Sequence, residues 1–241
     1  MKSCFFCGTI GPLTQEHVFP QWIRRTGNRP LKAIVRTSSR PEAHLGDTYS
    51  WRVKILCAKC NNEYGGSLEE ALRPTLKPMI NGEAVFLDTL KQGQLAQWAF
   101  KTALIAAKAV SRDEPTEDLD GLALFYRTNG LPPAQLCRIN TNGLAPQARS
   151  VDSFKARQSS GMSGGMTDLE QWGRVGLHSD AAGNLLSQSI QFGLGSALFV
   201  VSISFVSGGD FTSASGLLQI YPALKATLVW PTRRLVVPTM D

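Results

Sequence analysis

Four of the five cysteines form two CxxC pairs, Cys4 with Cys7 and Cys57 with Cys60. Two such pairs, separated by a long stretch of chain, are typical of one tetrahedral zinc ion with four sulfur ligands. We expect a structural zinc site that clamps the N-terminal knuckle onto the segment after Cys60. Cys137 stands alone in "AQLCRIN" and is expected to be a buried small hydrophobe. The odd cysteine count, with no secretory leader expected, argues against a disulfide framework.

A glutamate and a histidine, Glu16 and His17, stand side by side in "LTQEHVFP", between the two cysteine pairs. On a regular strand, neighbouring side chains point to opposite faces, so one could bind a metal ion while the other faces a substrate. A neutral imidazole, with a pKa of about 6.5, can take a proton from water at neutral pH. His17 is therefore a candidate general base, and a structural histidine or a zinc ligand is the alternative.

Two asparagines, Asn61 and Asn62, directly follow the second cysteine pair. The pattern predicts that Cys57 ends a strand and that Cys60 opens a helix. Carboxylate and amide oxygens are ligands that suit Mg²⁺ or Mn²⁺. An asparagine at the head of this helix could therefore share an ion with Glu16.

The stretches "CFFCG", "LTQEHVFP" and "ILCAKCNNEYGGSLEE" together resemble the HNH endonuclease superfamily over about the first third of the chain. Its pattern is a CxxC, an acidic residue and a histidine on a strand that ends near a proline, and a second CxxC followed by His or Asn. The resemblance implies a ββα-metal fold in which His17 activates a water molecule. It also implies one Mg²⁺ or Mn²⁺ ion held by Glu16 and Asn61, with Asn62 as the reserve ligand.

The chain departs from the superfamily pattern in two places. Members usually carry an asparagine shortly before the second CxxC, and "GDTYSWRVKIL" has none. Asp47, Thr48 or Ser50 could brace the loop in its place, and the sequence does not choose among them. Glu16 replaces the commoner aspartate, which lengthens the reach to the ion by one methylene.

The net charge of +6 lies entirely in the first 80 residues, which hold 12 Lys/Arg against 6 Asp/Glu, whereas residues 81–241 hold 13 of each. A basic surface around a metal site suits a phosphate-bearing partner, and an ordinary solvated face is the alternative. Trp22 and Trp51 could stack on bases or fill a small core. The candidate phosphate contacts are Arg24, Arg25, Arg29, Arg36, Arg40, Arg52, Lys54 and Lys59.

The local patterns in the first third predict the elements that would position these residues. We expect a short strand in "LTQEHVF", a short helix in "QWIRR", a loop from Thr37 to Thr48 and a strand in "YSWRVKILC". A helix is expected from Asn61 to Arg73, stopped by Pro74. These elements make up a predicted module of residues 1–80.

Residues 81–241 are predicted to form a second, α+β domain. "QLAQWAFKTALIAAKAV" is apolar on most faces except Gln97, Lys101 and Lys108, which predicts a central helix. A shorter helix is expected in "DLDGLALFYRTNG", capped by Gly130. The many short β-rich runs that follow predict a mostly antiparallel sheet packed on one or two helices. The predicted fold class is thus α+β, with a ββα-metal module in front of an α+β domain.

Together these patterns favour a metal-dependent endonuclease that hydrolyses phosphodiester bonds. The alternative is a catalytically inactive, zinc-containing module that binds nucleic acid or protein. A CxxC thiol oxidoreductase would need cysteines free of zinc, and neither pair opens a helix in a βαβ context. We expect nucleic acid as the partner, DNA rather than RNA, and a cytoplasmic protein without membrane contact. The second domain would position substrate, form a homodimer or sense a signal.

Overall fold

A computed structural model describes most of the first 132 residues and the strands that follow. The described residues are 2–26, 32–37, 40–47, 51–110, 117–132, 137–143, 167–169, 173–179, 185–194, 197–204, 218–221 and 228–230. The elements, in chain order, are β1 (Thr14–His17), a 3-10 helix (Gln21–Thr26), β2 (Lys32–Thr37), β3 (Arg40–Asp47), β4 (Arg52–Leu56), a π-helical turn (Lys59–Gly65), α1 (Gly66–Asn81), β5 (Val85–Leu87), α2 (Thr89–Val110), α3 (Glu117–Asn129), β6 (Cys137–Gly143), β7 (Thr167–Leu169), β8 (Gly173–Ser179), β9 (Leu185–Leu194), β10 (Ala197–Ser204), β11 (Leu218–Tyr221) and β12 (Leu228–Trp230).

Strands β1 and β4 pair antiparallel and form the scaffold of the candidate site. Glu16 lies opposite Val53, and His17 lies opposite Arg52. Along β4, Val53 and Leu56 are buried while Arg52 and Lys54 are exposed, as expected for a strand with one face on the core. Both predicted strands are confirmed, and the π-helical turn begins three residues after β4 ends.

Helix α1 continues to Asn81, so the predicted stop at Pro74 is wrong. Pro74 and Pro78 both lie inside the helix. Each proline removes one backbone hydrogen bond, but four apolar side chains on one face offset this loss by packing into the core. The helix ends at Gly82, which has a φ of 83° and donates its N–H to the Met79 carbonyl. The four buried side chains are those of Leu72, Leu76, Met79 and Ile80.

The predicted loop from Thr37 to Thr48 is also wrong where the structure describes it. Residues 40–47 form β3, which pairs antiparallel with β2, with Ala33 opposite Leu45 and Val35 opposite Ala43. The turn-forming residues of "RPEAHLGD" obscured the alternation of Ala43 and Leu45 with polar residues, which is a strand signal. Pairing with an apolar partner strand outweighs the low strand propensity of Pro, Gly and Asp.

Eight strands form one sheet in the order β11-β6-β10-β9-β8-β7-β2-β3, and every described neighbouring pair is antiparallel. Helix α2 packs on this sheet through Trp98, whose ring lies 5.8 Å from that of Phe192 and 5.4 Å from that of Phe199. The mixed class of helices and antiparallel strands is therefore confirmed. Among the described helices, none is long and apolar enough to cross a membrane.

The buried side chains of residues 1–80 and 81–241 belong to one hydrophobic cluster. Phe6, beside the first cysteine pair, lies 5.9 Å from the ring of Tyr126 in α3, and Phe100 in α2 lies 5.2 Å from the same ring. Gly130, with a φ of 82°, caps α3 as predicted. Cys137 is fully buried in β6, as expected. The division into two domains at residue 80 stays a prediction.

Candidate active site and four-cysteine cluster

The four paired cysteines meet at one point, and their Sγ atoms all lie within 4.8 Å of one another. The Sγ atoms of Cys7 and Cys57 are 3.7 Å apart. In a tetrahedral site with Zn–S bonds of about 2.3 Å, the sulfur atoms are about 3.8 Å apart. The cluster could therefore hold a metal ion such as zinc, and it joins the N-terminal knuckle to the end of β4 and to the π-helical turn.

Backbone geometry positions the first cysteine pair. Gly8 has a φ of 70° and donates its N–H to the Cys4 carbonyl at 2.8 Å, which closes the knuckle. The backbone N–H of Cys57 donates to the Sγ of Cys4 at 3.3 Å, and the N–H of Phe5 donates to the Ile55 carbonyl at 2.9 Å. The knuckle is thus fastened to β4 and its end by main-chain hydrogen bonds that do not depend on a metal ion.

Cys4, Cys7 and Cys60 differ in how readily their thiols lose a proton. Burial raises the pKa of Cys4 and of Cys60. Burial also acts to raise the pKa of Cys7, but hydrogen bonds with Thr9 outweigh it and lower the pKa to about 6. Because a metal ion binds thiolates, ion binding would release protons from the two buried thiols, and affinity should rise with pH.

Glu16 is buried and is bound by a lysine from α2. The Nζ of Lys101 donates to Glu16 Oε1 at 3.3 Å and to Glu69 Oε1 at 2.8 Å. The side chain of Lys101 is 1% exposed, that of Glu16 is 7% exposed and that of Glu69 is 21% exposed. Lys101 thus joins three elements, β1, α1 and α2, through one buried ammonium group.

Lys101 attracts both carboxylates of this triad, whereas the two carboxylates repel each other. Burial by itself would lower the pKa of Lys101, but the carboxylates of Glu69 and Glu16 outweigh it and raise that pKa. Burial raises the pKa of Glu16, and the attraction of Lys101 opposes that rise. Lys101 therefore stays charged at every physiological pH, and its positive charge offsets the negative charge of the buried Glu16 carboxylate.

Gly65 provides the space for the Lys101 ammonium. A Cβ atom at position 65 would lie 3.3 Å from Lys101 Nζ and 3.3 Å from the carbonyl oxygen of Cys60. The π-helical turn places this buried glycine beside the lysine, so the turn after the second cysteine pair also shapes the ion cluster.

His17 accepts a hydrogen bond from the strand opposite. Arg52 Nε donates to His17 Nε2 at 2.8 Å, and the side-chain nitrogen of Gln21 lies 2.8 Å from the same atom. Because Nε2 accepts, the proton of the neutral ring is on Nδ1. Burial, Arg52 and Arg24 lower the pKa of His17, and the carboxylate of Glu69 acts in the opposite direction. His17 is therefore a neutral imidazole whose lone pair accepts from Arg52 and lies within hydrogen-bond distance of Gln21.

Asn61 lies at the start of the helical segment, facing β1. Its Nδ2 donates to Thr14 Oγ1 at 2.9 Å and to the Gln15 carbonyl at 3.2 Å, and the Thr14 hydroxyl donates to the Leu56 carbonyl at 3.0 Å. These bonds fix the asparagine against the strand that carries His17. Asn62 is exposed.

The surroundings of Glu16 do not fit a divalent ion. An ion bound to this carboxylate would lie next to the Lys101 ammonium, and the two like charges would repel each other in a buried site. Glu16 Oε1 accepts from Lys101, whereas the described hydrogen bonds of Asn61 are donated by Nδ2 and do not involve the amide oxygen that would bind an ion. The structure thus places Asn61 against β1, as expected, but the cation beside Glu16 is the ammonium group of Lys101.

Sequence reasoning missed Lys101 and Glu69. Its spacing from Gln97 and Lys108 places Lys101 on one polar face of α2 and so predicts a solvated lysine, whereas it is fully buried. Glu69 lies among several acidic and polar residues, so neither partner carried a local signal of the pair.

The remaining predicted residues fall into three groups. Trp51 is buried and serves the core, and half-buried Trp22 has the guanidinium of Arg73 5.6 Å from its ring centroid, so neither is an open base-stacking platform. Arg24, Arg25, Arg52, Lys54 and Lys59 are exposed. The side chains of Arg29, Arg36, Arg40, Asp47, Thr48 and Ser50 lie outside the described part of the structure.

The chain matches no protein-family model, no curated protein and no solved structure.

Proposed function

We propose that this protein is an HNH-type endonuclease that hydrolyses phosphodiester bonds in nucleic acid, with DNA as the preferred substrate. The observation that carries the proposal is the setting of His17. It is a neutral imidazole at the end of β1, with the cations of Arg52 and Arg24 beside it. The order β1, β4 and helix around the cysteine cluster supports the ββα-metal arrangement that the resemblance implies.

In this proposal the four cysteines hold a structural zinc ion. The 3.7 Å separation of Cys7 and Cys57 supports it, and so does the N–H bond to the Cys4 sulfur. Zinc would contribute by fixing β4 and the helical turn relative to the knuckle, since a structural zinc site adds folding free energy directly. It would take no part in the reaction.

His17 would act as the general base. It takes a proton from water, the resulting hydroxide attacks phosphorus, and the bond from phosphorus to the leaving oxygen breaks. The leaving alkoxide takes a proton from solvent. The cations of Arg52 and Arg24 would offset the negative charge that grows on the phosphate oxygens. The superfamily resemblance also implies Mg²⁺ or Mn²⁺ at Glu16 and Asn61, which the contact with Lys101 opposes.

A nicking assay on supercoiled plasmid DNA tests the proposal, with Mg²⁺, with Mn²⁺ and without either ion. We expect His17→Ala to lower the rate by about 100-fold or more, as for other general bases. Gln15→Ala is the matched control, since Gln15 is an exposed residue of the same strand. Equal rates for the parent and His17→Ala would refute the role of His17.

The second candidate is a zinc-containing module that binds nucleic acid without cutting it. It is favoured by one observation: Glu16 is bonded to Lys101 and the lone pair of His17 is bonded to Arg52. Mobility-shift binding of the plasmid with no nicking under any of the three ion conditions would support this candidate over the nuclease.

The role of residues 81–241 is open between substrate positioning, homodimerisation and sensing. Lys101 is fully buried, so it ties this range to Glu16 and Glu69 and does not itself face a substrate.

A further inference from the structure

Arg52, an exposed residue of β4, donates a hydrogen bond to a histidine side chain of the neighbouring strand. It lies directly opposite His17 in the β1–β4 pair, and its Nε bonds to the imidazole. This contact uses one of its five N–H groups. The side chain is exposed, so its terminal N–H groups face the same surface as the imidazole.

The 3-10 helix adds a second cation at the same place. Side chains three residues apart eclipse each other in a 3-10 helix. Gln21 lies within hydrogen-bond distance of His17 Nε2, so Arg24, three residues further on, lies on the same edge of this helix. Arg24 lowers the pKa of His17, which agrees with that placement.

Among the described residues, the charged groups near His17 leave this surface positive. Glu69, from α1, acts on His17, and it is bonded to Lys101 at 2.8 Å. Lys101 also bonds to Glu16, so it offsets the charge of Glu69 only in part. Arg52 and Arg24 supply two positive charges on the open side.

We propose that Arg52 binds the phosphate of the substrate through Nε and a terminal N–H group, and that this binding removes the Arg52 hydrogen bond from the lone pair of His17. A bidentate guanidinium–phosphate contact joins two opposite charges through two hydrogen bonds, whereas the bond from Arg52 to His17 has a neutral acceptor. An arriving phosphate thus competes well for Arg52. The ligand class, a phosphate diester of a nucleic-acid backbone, rests on the proposed function. Once the phosphate is in place, the imidazole has lost its charged donor, and Gln21 remains as the neutral donor at Nε2.

Nitrogen NMR of the imidazole of His17 tests this in the full-length, zinc-loaded protein, with the signal assigned from a His17→Gln variant. The probe is inorganic phosphate, and sodium chloride at the same ionic strength is the reference. In the parent, phosphate should shift the Nε2 signal toward that of a nitrogen without a hydrogen bond from Arg52. In Arg52→Gln the signal should have this position before phosphate is added, and affinity for phosphate should fall about tenfold.

Lys77→Gln is the matched control, because Lys77 is an exposed cation of α1 that is not among the candidate phosphate contacts. It should respond to phosphate as the parent does. The inference is overturned if the parent shows no phosphate-specific shift, or if Arg52→Gln responds like the parent. Plasmid nicking separates the two proposals. If the protein responds to phosphate but does not cut, the anion site at Arg52 stands and the nuclease function is refuted. If Arg52→Gln still cuts, the nuclease function stands and the role of Arg52 is refuted.

Discussion

Replacing Lys101 with methionine tests whether the buried triad stabilises the fold. Methionine is close to lysine in length, so the substitution removes the charge and leaves little cavity. Glu16, with a side chain 7% exposed, and Glu69, 21% exposed, would then face each other without a cation.

The expected cost follows from the burial of these groups. Removing one partner of a buried ion pair typically destabilises a protein by about 3–5 kcal/mol, because the other charge is left uncompensated. Since domains of this kind have a free energy of unfolding of about 5–15 kcal/mol, the loss would be a large share of the total. Protonation of Glu16 relieves the repulsion, so the loss should be smaller at pH 5 than at pH 7.5.

Urea unfolding, followed by tryptophan fluorescence at both pH values, measures the effect. Lys108→Met is the control, because Lys108 pairs with Asp120 near the surface and its side chain is 23% exposed. It should cost less than about 1 kcal/mol. Adding Glu16→Gln to Lys101→Met should recover part of the loss. If Lys101→Met costs no more than Lys108→Met, or if its cost is the same at both pH values, the triad does not stabilise the fold in this way.

Three further predictions concern the cysteine cluster, the glycine and the histidine. Cys57→Ser should abolish the one zinc ion per chain that elemental analysis would find in the parent, whereas Cys137→Ala, at a buried cysteine outside the cluster, should retain it. Gly65→Ala should cost about 1–3 kcal/mol in urea unfolding, because its Cβ would press on Lys101 and the Cys60 carbonyl, while Gly66→Ala, with no atom within 4 Å of the added Cβ, should be neutral or stabilising. The folded-state pKa of His17 is lowered, so the unfolded chain binds more protons just below pH 6.5 and stability should fall as the pH drops through that range. His17→Gln should remove that part of the pH dependence, and identical pH profiles for parent and variant would contradict the assignment.

Short-range patterns in the sequence predicted much of the site. Spacing alone placed the cysteines, since a CxxC knuckle allows both sulfur atoms to reach one ion. The strand carrying His17 and the helical start at Asn61 also followed from local signals. The approach of Asn61 to β1 required only that the two cysteine pairs meet.

The errors came from interactions across long stretches of sequence. Lys101 is separated from Glu16 by 85 residues, and no local period reveals that the two will pair. The prolines of α1 are tolerated because four apolar side chains pack into the core. The sequence rule that proline stops a helix takes no account of such packing. The pairing of β2 with β3 is the exception, because the two strands are close in sequence, and it was missed because turn-forming residues outweighed a short alternation.

Because Lys101 bonds to Glu16, the first 80 residues cannot keep the same site when they are separated from the rest of the chain. A fragment ending at residue 80 would keep the cysteines, His17 and Arg52, but it would lose the only cation that the described structure places on Glu16. Its buried carboxylate would have to be protonated or exposed, and either change would alter the strand that carries His17. Transplanting the site onto another protein therefore requires a replacement for one turn of α2 as well as the sequence that resembles a nuclease.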